Sequence, residues 1–514
     1  MGVALILAIQ TAPAWMLACR ALPWIVSSGS FLETSFSKVL PSSLLTGLLV
    51  AVASLGIGLP AGVLFALEAL PMRRWLLALT TVPLLVPSFL WALGWSEFAA
   101  MLGPRVTNAL TGLLGVTLIF GPSVAPLVVL VAYRAASTLS GSQLDAARLA
   151  GGETTALLYT LRHAALPSLI AALLGAALTV SDPGPGQVFG FRSAASEILT
   201  SFSARNDFEL AARQSLALAI VVFLVTAPVV FLAAPRLAVE ILAQQTRTLQ
   251  RVREPIYAGL GVGLFSVLIL TGIAVPICGI GGPLLRGGSF MRAFEVASRT
   301  GIDTLCYASG AGAIAVALGF GLAFFVGRER KLRIVSVAAA IAVFSLPATL
   351  GALGIVELGT QAPAWADTLL RSRGTVCASL GIRYSSVAVL LGLHAWGTMP
   401  QSWSLAASIH AVPPAKFLAR VVFPHLVPSI TAAFFCVALL ATADVTTVLL
   451  LHPPGQSSYP LSVFTVMANA PESLVASLCV LYIAAAAAMI AAAVLIFQAS
   501  EYLRTKHAHG QESV

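Results

Sequence analysis

Val86-Pro87-Ser88-Phe89-Leu90-Trp91-Ala92-Leu93-Gly94 returns, about 260 residues later, as Leu346-Pro347-Ala348-Thr349-Leu350-Gly351-Ala352-Leu353-Gly354. The match extends outward from this pair. Arg73 stands before the first copy and Arg333 before the second; Pro167-Ser168-Leu169 pairs with Pro428-Ser429-Ile430, and Asp182 with Asp444. Apolar matches alone would mean little in so apolar a chain. Proline, glycine and charge recurring at nearly constant offset point to an internal repeat.

The surroundings of the repeat are lipid-like in composition. Of 514 residues, 58% are hydrophobic and 10% charged, against roughly 25% charged in a soluble domain. Twelve apolar stretches are long enough to be candidate spans: 3–25, 42–67, 76–100, 110–133, 166–181, 213–235, 256–277, 303–327, 334–356, 384–400, 427–450 and 474–499. The fifth and tenth are the shortest. The expected fold class is therefore an all-α integral membrane protein of about 12 transmembrane helices in two parallel six-helix repeats. Residues 1–235 would form the first repeat, 256–514 the second, and the Gln/Arg-rich 236–255 a cytoplasmic linker. The first stretch lacks a positive charge ahead of it, so it reads as a retained helix and not as a signal peptide.

Placing both termini inside puts almost the whole net charge of +9 in the inner segments. Clusters at Arg73-Arg74, at Arg247, Arg251 and Arg253, and at Arg328, Arg330, Lys331 and Arg333 then anchor the topology. No basic cluster is interleaved with aromatics, so nucleic acid is not a partner. The six cysteines form no CxxC pair and the seven histidines no ligand set, so no metal site is expected. A Cys278–Cys377 bond between outer loops is conceivable. Glycines 56, 58, 62, 310, 312, 319 and 321 suit close helix packing. Pro60, Pro87 and Pro347 read either as tolerated kinks or as bends lining a cavity.

Between the fourth and fifth stretches lies Leu144-Asp145-Ala146-Ala147-Arg148-Leu149-Ala150-Gly151-Gly152, with Pro167 expected to open the next helix. Its counterpart is Leu405-Ala406-Ala407-Ser408-Ile409-His410-Ala411-Val412-Pro413-Pro414. Each reads as a short surface helix, a small-residue turn and a membrane helix. Here the chain resembles the binding-protein-dependent permeases of ATP-binding-cassette importers, whose hallmark is a cytoplasmic Glu-Ala-Ala with a glycine a few residues on. The resemblance implies that Asp145, Ala146, Ala147 and Gly151, and Ala406, Ala407 and Ala411, form coupling helices that dock on an ATPase dimer. The glutamate is replaced by Asp145 in one half and Leu405 in the other.

The fused arrangement is similar to iron(III) and thiamine permeases, which implies iron(III) as solute, with thiamine or a phosphonate as alternatives. It also implies an external solute-binding protein, landing on loops near 182–212, 278–302 and 357–383. No GxxxxGK[ST] sequence exists, so the chain itself binds no ATP in that manner and no other cofactor; ATP with Mg²⁺ belongs to the partner. The residues imply no catalytic group. The implied location is a bacterial inner membrane. Pathway candidates are the few acidic residues at or inside apolar runs: Asp444 foremost, then Asp182, Glu357 and Glu68. Asp182 precedes Pro183-Gly184-Pro185-Gly186 and reads as either a turn former or a gate. An ion-coupled twelve-helix transporter is the rival of another class. It would need deeply buried ionisable residues, and the stretches above offer almost none.

Overall fold

The computed structural model describes residues 1–28, 34–67, 73–242 and 255–509. Among these residues there is no strand. Helices α1 (Gly2–Ser28), α2 (Thr34–Leu67), α3 (Arg73–Leu85), α4 (Ser88–Leu102), α5 (Pro104–Leu110) and α6 (Leu113–Ala136) come first. They are followed by α7 (Gly141–Ser181), α8 (Gly184–Val188), α9 (Ala194–Leu199) and α10 (Phe208–Glu240). The chain resumes with α11 (Pro255–Ile269), α12 (Val275–Leu285), α13 (Phe290–Val326), α14 (Arg330–Ser345), α15 (Ala348–Gln361), α16 (Ala364–Leu370) and α17 (Arg373–Gly397). Last come α18 (Gln401–Ile409), α19 (Pro414–Phe417), α20 (Phe423–Ala443), α21 (Val445–Leu451), α22 (Tyr459–Val466) and α23 (Glu472–His509).

Ten helices are long and apolar enough to cross a membrane, and up to 12 if each of two bent pairs counts as one span. The chain is thus a multi-span, membrane-type helical protein. The fifth and tenth expected spans are not short: α7 has 41 residues and α17 has 25. Pro167 lies inside α7 instead of opening it. Helical backbone resumes directly after Gly152, so Pro167 falls well within the helix. The boundary expected at residue 235 also moves, since α10 continues to Glu240. Residues 243–254 of the expected linker, with Arg247, Arg251 and Arg253, lie outside the described residues, as does Glu68.

The third and ninth expected spans are broken. Helices α3 and α4 meet at 96° and α14 and α15 at 87°. Pro87 and Pro347 sit at these breaks, where each ring removes an N–H and obstructs the preceding turn. In an apolar setting the freed carbonyls need donors. The Trp91 indole donates to the Pro83 carbonyl at 3.1 Å, and an Arg383 Nη donates to Leu346 O at 3.4 Å. Pro60, by contrast, lies within continuous α2.

The bundle has two ends. At the near end, a Cβ on Gly2 would touch the Phe325 ring, and the carbonyl of Ile241, just past α10, is hydrogen-bonded to the His394 ring on α17. At the far end Arg20 pairs with Glu357 at 3.2 Å, Asp303 with Arg373 at 2.7 Å and Arg286 with Glu472 at 3.6 Å. The second bent pair therefore runs from Arg330, just after α13 ends beside Gly2, to Glu357 beside Arg20, which is about two thirds of the length of α1. Helices α13 and α23 start together at the far end, where Ser289 N donates to Ser477 Oγ.

Close approach is bought with glycine at particular places. A Cβ on Gly62 would meet Val129 O of α6 at 2.5 Å, and one on Gly319 would meet Ala388 of α17 at 2.5 Å. Two further contacts are reciprocal. Gly354 of α15 lies against the Pro13 backbone of α1, where a Cβ would come within 2.1 Å of the carbonyl oxygen. Gly94 of α4 lies in the same way against the Pro276 backbone of α12, at 2.4 Å.

Candidate functional site

Both bends open on one cavity of about 130 Å³. Its walls include Pro87, Ser88 and Asp182 from the first part of the chain, and Ala348, Arg383, Tyr384 and Asp444 from the second. Phe89, Phe120, Phe344 and Phe464 supply aromatic surface. Asp182 and Asp444, both named from sequence as pathway candidates, are brought together here.

Asp444 sits where α20 stops. Its Oδ1 accepts from Thr447 N at 2.9 Å, capping α21. Its Oδ2 accepts from Thr447 Oγ1 at 3.0 Å and from the Tyr384 hydroxyl at 3.1 Å. The Arg383 Nε lies 3.3 Å from the same oxygen, and both side chains are nearly inaccessible. Asp444 is 8% exposed as a residue, so its charge is held by a dedicated shell, as a buried ion requires.

Asp182 ends α7. Its Oδ1 accepts from Gly184 N at 2.8 Å and its Oδ2 from the Ser88 hydroxyl. Ser88 occupies the first position of α4 because Pro87 has just turned the chain. The two readings of Asp182 are thus not exclusive: it forms the turn and faces the cavity. All these partners of Asp182 come from the first part of the chain and all those of Asp444 from the second. The seam between the two parts runs between two carboxylates that are each satisfied on their own side.

Glu357 does not belong to this site. It is 5% exposed but lies at the far end against Arg20. Its place near the end of an apolar run reflects an anchoring ion pair. Arg383 is the residue that sequence reading missed. The tenth expected span began at residue 384, so Arg383 fell into an outer loop. Continuing the small-residue face back through Ser379 and Gly381 would have put it inside α17. Its presence also corrects the expectation that almost no ionisable group is deep in the bundle.

A second feature lies at the near end. The first Ala-Ala element forms the opening of α7, with a capping box between Ser140 and Gln143. Asp145 and Arg148 pair at 3.3 Å. Arg148 also reaches Glu153 at 3.1 Å across a break in the helix at Gly151 and Gly152. The left-handed residue at this break is Gly152, with φ 75°; Gly151, at φ −174°, is extended. The turn assigned from sequence to Gly151 thus belongs one residue later.

The second Ala-Ala element is α18, which has no buried residue. Val412 N donates to Ala407 O at 2.9 Å and Ala411 N to Ser408 O at 3.2 Å, a Schellman stop. Ala411 adopts φ 47°, one of two non-glycine residues with positive φ among those described. Left-handed backbone costs an L-residue about 1–2 kcal/mol. Ala411→Gly should therefore stabilise the chain by about 1 kcal/mol, seen as a higher midpoint in thermal unfolding of the detergent-solubilised protein.

Both elements lie at the same end. Helix α7 runs from Gly152 to the far end, where Ala177 and Val180 share a core with Ala211 and Ala212 of α10. Helix α10 returns to Ile241 at the near end, beside His394, a few residues before α18. Leu149, Leu405 and Ile409 project from the two elements with 90%, 60% and 79% of their surface exposed.

Among the described residues, no group of three or more His, Cys, Asp or Glu could hold a metal ion. No family model matches the chain, and no curated protein or solved structure matches it either.

Proposed function

We propose that the chain is the permease of an ATP-driven importer, with a solute path between two homologous six-helix halves and two docking elements for a separate ATPase dimer. The observation that carries this reading is the placement of the two Ala-Ala elements. Each ends in a left-handed residue, each exposes large aliphatic side chains, and both face out of the near end, remote from the cavity. The order of elements supports a repeat: α2 to α10 have counterparts in α13 to α23 about 260 residues on. The α1–α15 and α12–α4 glycine contacts are counterparts in the same sense. The near end is then cytoplasmic, in a bacterial inner membrane, and a binding protein delivers solute at the far end.

The charges of the cavity narrow the solute. Asp444 takes up the charge of Arg383, whereas the partners of Asp182 are neutral. A second carboxyl group, hydrogen-bonded only to neutral groups, stands beside aromatic faces, a lining that supports a cation, iron(III) or thiamine, over a phosphonate. Iron here is cargo.

The same buried cluster favours a second reading, an ion-coupled transporter, because intramembrane ionisable groups commonly carry coupling. The two separate in proteoliposomes containing the chain, its ATPase and its binding protein. The importer reading expects hydrolysis stimulated by the loaded binding protein, and uptake unaffected by collapsing proton and sodium gradients. Uptake that follows those gradients without ATP would establish the rival. Cysteines placed at Ala146 and Ala407 should label from the same side; labelling from opposite sides would sink both the repeat and the importer.

Gly152→Val should uncouple hydrolysis from uptake while leaving the chain inserted, since a β-branched residue at φ 75° strains the turn by about 1–2 kcal/mol or more. Gly151→Val should do less. A Cβ there would meet only the Thr155 side chain, whose hydroxyl can rotate away. Equal uptake by both variants would remove the assigned role.

A further inference from the structure

Cys377 was considered from sequence beside Cys278, but the fold gives it a different neighbour. Cys377 is buried on α17 and Cys306 is half-buried on α13. The Cys377 thiol donates to the Cys306 carbonyl oxygen at 3.4 Å. Covalent geometry then places the Cys306 Cα within roughly 6 Å of that sulfur. Gly310, one turn along α13, makes room: a Cβ there would come within 2.5 Å of Cys377 Sγ. The two helices are held in this register by the Asp303–Arg373 pair at 2.7 Å and by Gly319 and Gly381, whose added Cβ atoms would strike the facing helix. Disulfides need Cα atoms within about 7 Å and side chains that converge. The Cys377 sulfur already lies against the Cys306 backbone, in the space that Gly310 leaves open.

We propose that Cys306 and Cys377 form a disulfide that staples α13 to α17 at the far end. The compartment argument rests on the proposed orientation: the far end then faces outward, where disulfides persist. The pairing itself rests on geometry alone. Chemically, the more accessible Cys306 thiolate attacks one sulfur of a small-molecule disulfide, forming a mixed disulfide and expelling one thiolate. Cys377, losing its proton to that leaving thiolate, attacks the Cys306 sulfur and expels the second. Two thiols of the chain are oxidised and one external disulfide is reduced to two thiols. The closed loop spans 71 residues, so the staple should restrain the unfolded chain strongly.

The test uses the purified full-length chain in detergent with oxidised glutathione as probe. The expected result is the loss of two maleimide-reactive thiols, recovered by dithiothreitol, with a proteolytic peptide linking 306 to 377 in mass spectra. Cys377→Ser should abolish the link, and peptide mapping of the unsubstituted chain decides the matter even if that variant fails to fold. Cys306 and Cys377 both still free after oxidation, glutathione retained on Cys306, or a link from Cys377 to Cys278 would each overturn the pairing. Mapping membranes from intact cells separates the two premises. A pair that forms with the probe but stays reduced in cells counts against the orientation and leaves the pairing standing.

Discussion

Asp444→Ala should be the most damaging single substitution in the cavity, lowering stability by about 3–5 kcal/mol. The reason is what remains behind. Arg383 keeps its charge with a side chain 13% exposed and loses the carboxylate 3.3 Å away. The Tyr384 hydroxyl and the Thr447 backbone N–H lose their acceptor as well. Asp182→Ala should cost less, about 1–3 kcal/mol, because it strands only the neutral groups of Ser88 and Gly184. Adding Arg383→Leu to Asp444→Ala should restore much of the loss, because it removes the orphaned charge. Thermal unfolding of the four detergent-solubilised proteins gives the order. An Asp182 variant weaker than the Asp444 variant would contradict the view that Arg383 is bound to Asp444 and that Asp182 is held by neutral partners.

The second large effect concerns the reciprocal glycine contacts. Gly354→Leu should destabilise by about 3 kcal/mol, and Gly94→Leu by a similar amount. In each the new Cβ meets backbone, Pro13 O at 2.1 Å or Pro276 O at 2.4 Å, and backbone cannot rotate away. Gly351→Leu is the matched control, one turn earlier on α15 with nothing within 4 Å of its Cβ. A control as damaging as Gly354→Leu would mean that helix propensity, and not the approach of α1, sets the cost. These contacts also bear on motion. Helix α1 is keyed to the bent pair α14–α15 and α12 to the bent pair α3–α4, so α1 should move with α15 and α12 with α4. The halves that rock against each other would then not be the halves of the sequence.

Much was legible before any coordinates. Lipid-facing composition, the number of apolar stretches and the helix–turn character of both Ala-Ala elements follow from residue type and spacing. Those properties are local or periodic, and a chain in lipid has few ways to satisfy its backbone other than helices. Other features were not legible because they depend on partners distant in sequence. Glu357 and Asp444 are both buried acids at the ends of apolar runs, yet one meets the exposed Arg20 at the far end and the other Arg383 beside the cavity. Pro60 and Pro87 are both prolines in apolar helices. Pro87 becomes a 96° break, with Trp91 positioned to take the Pro83 carbonyl, while Pro60 stays inside a continuous α2. Gly151 and Gly152 are adjacent glycines, and only the path of the following helix decides which carries the left-handed turn.

The sequence by itself determined that this is a multi-span helical protein and where its small-residue turns fall. Tertiary structure alone decided that Asp182 and Asp444 share one cavity, that an arginine stands with them, and that α1 packs on α15 and α12 on α4. The physical reason is that burial and charge pairing are properties of what approaches a residue in space, and hydropathy records only what the residue itself prefers.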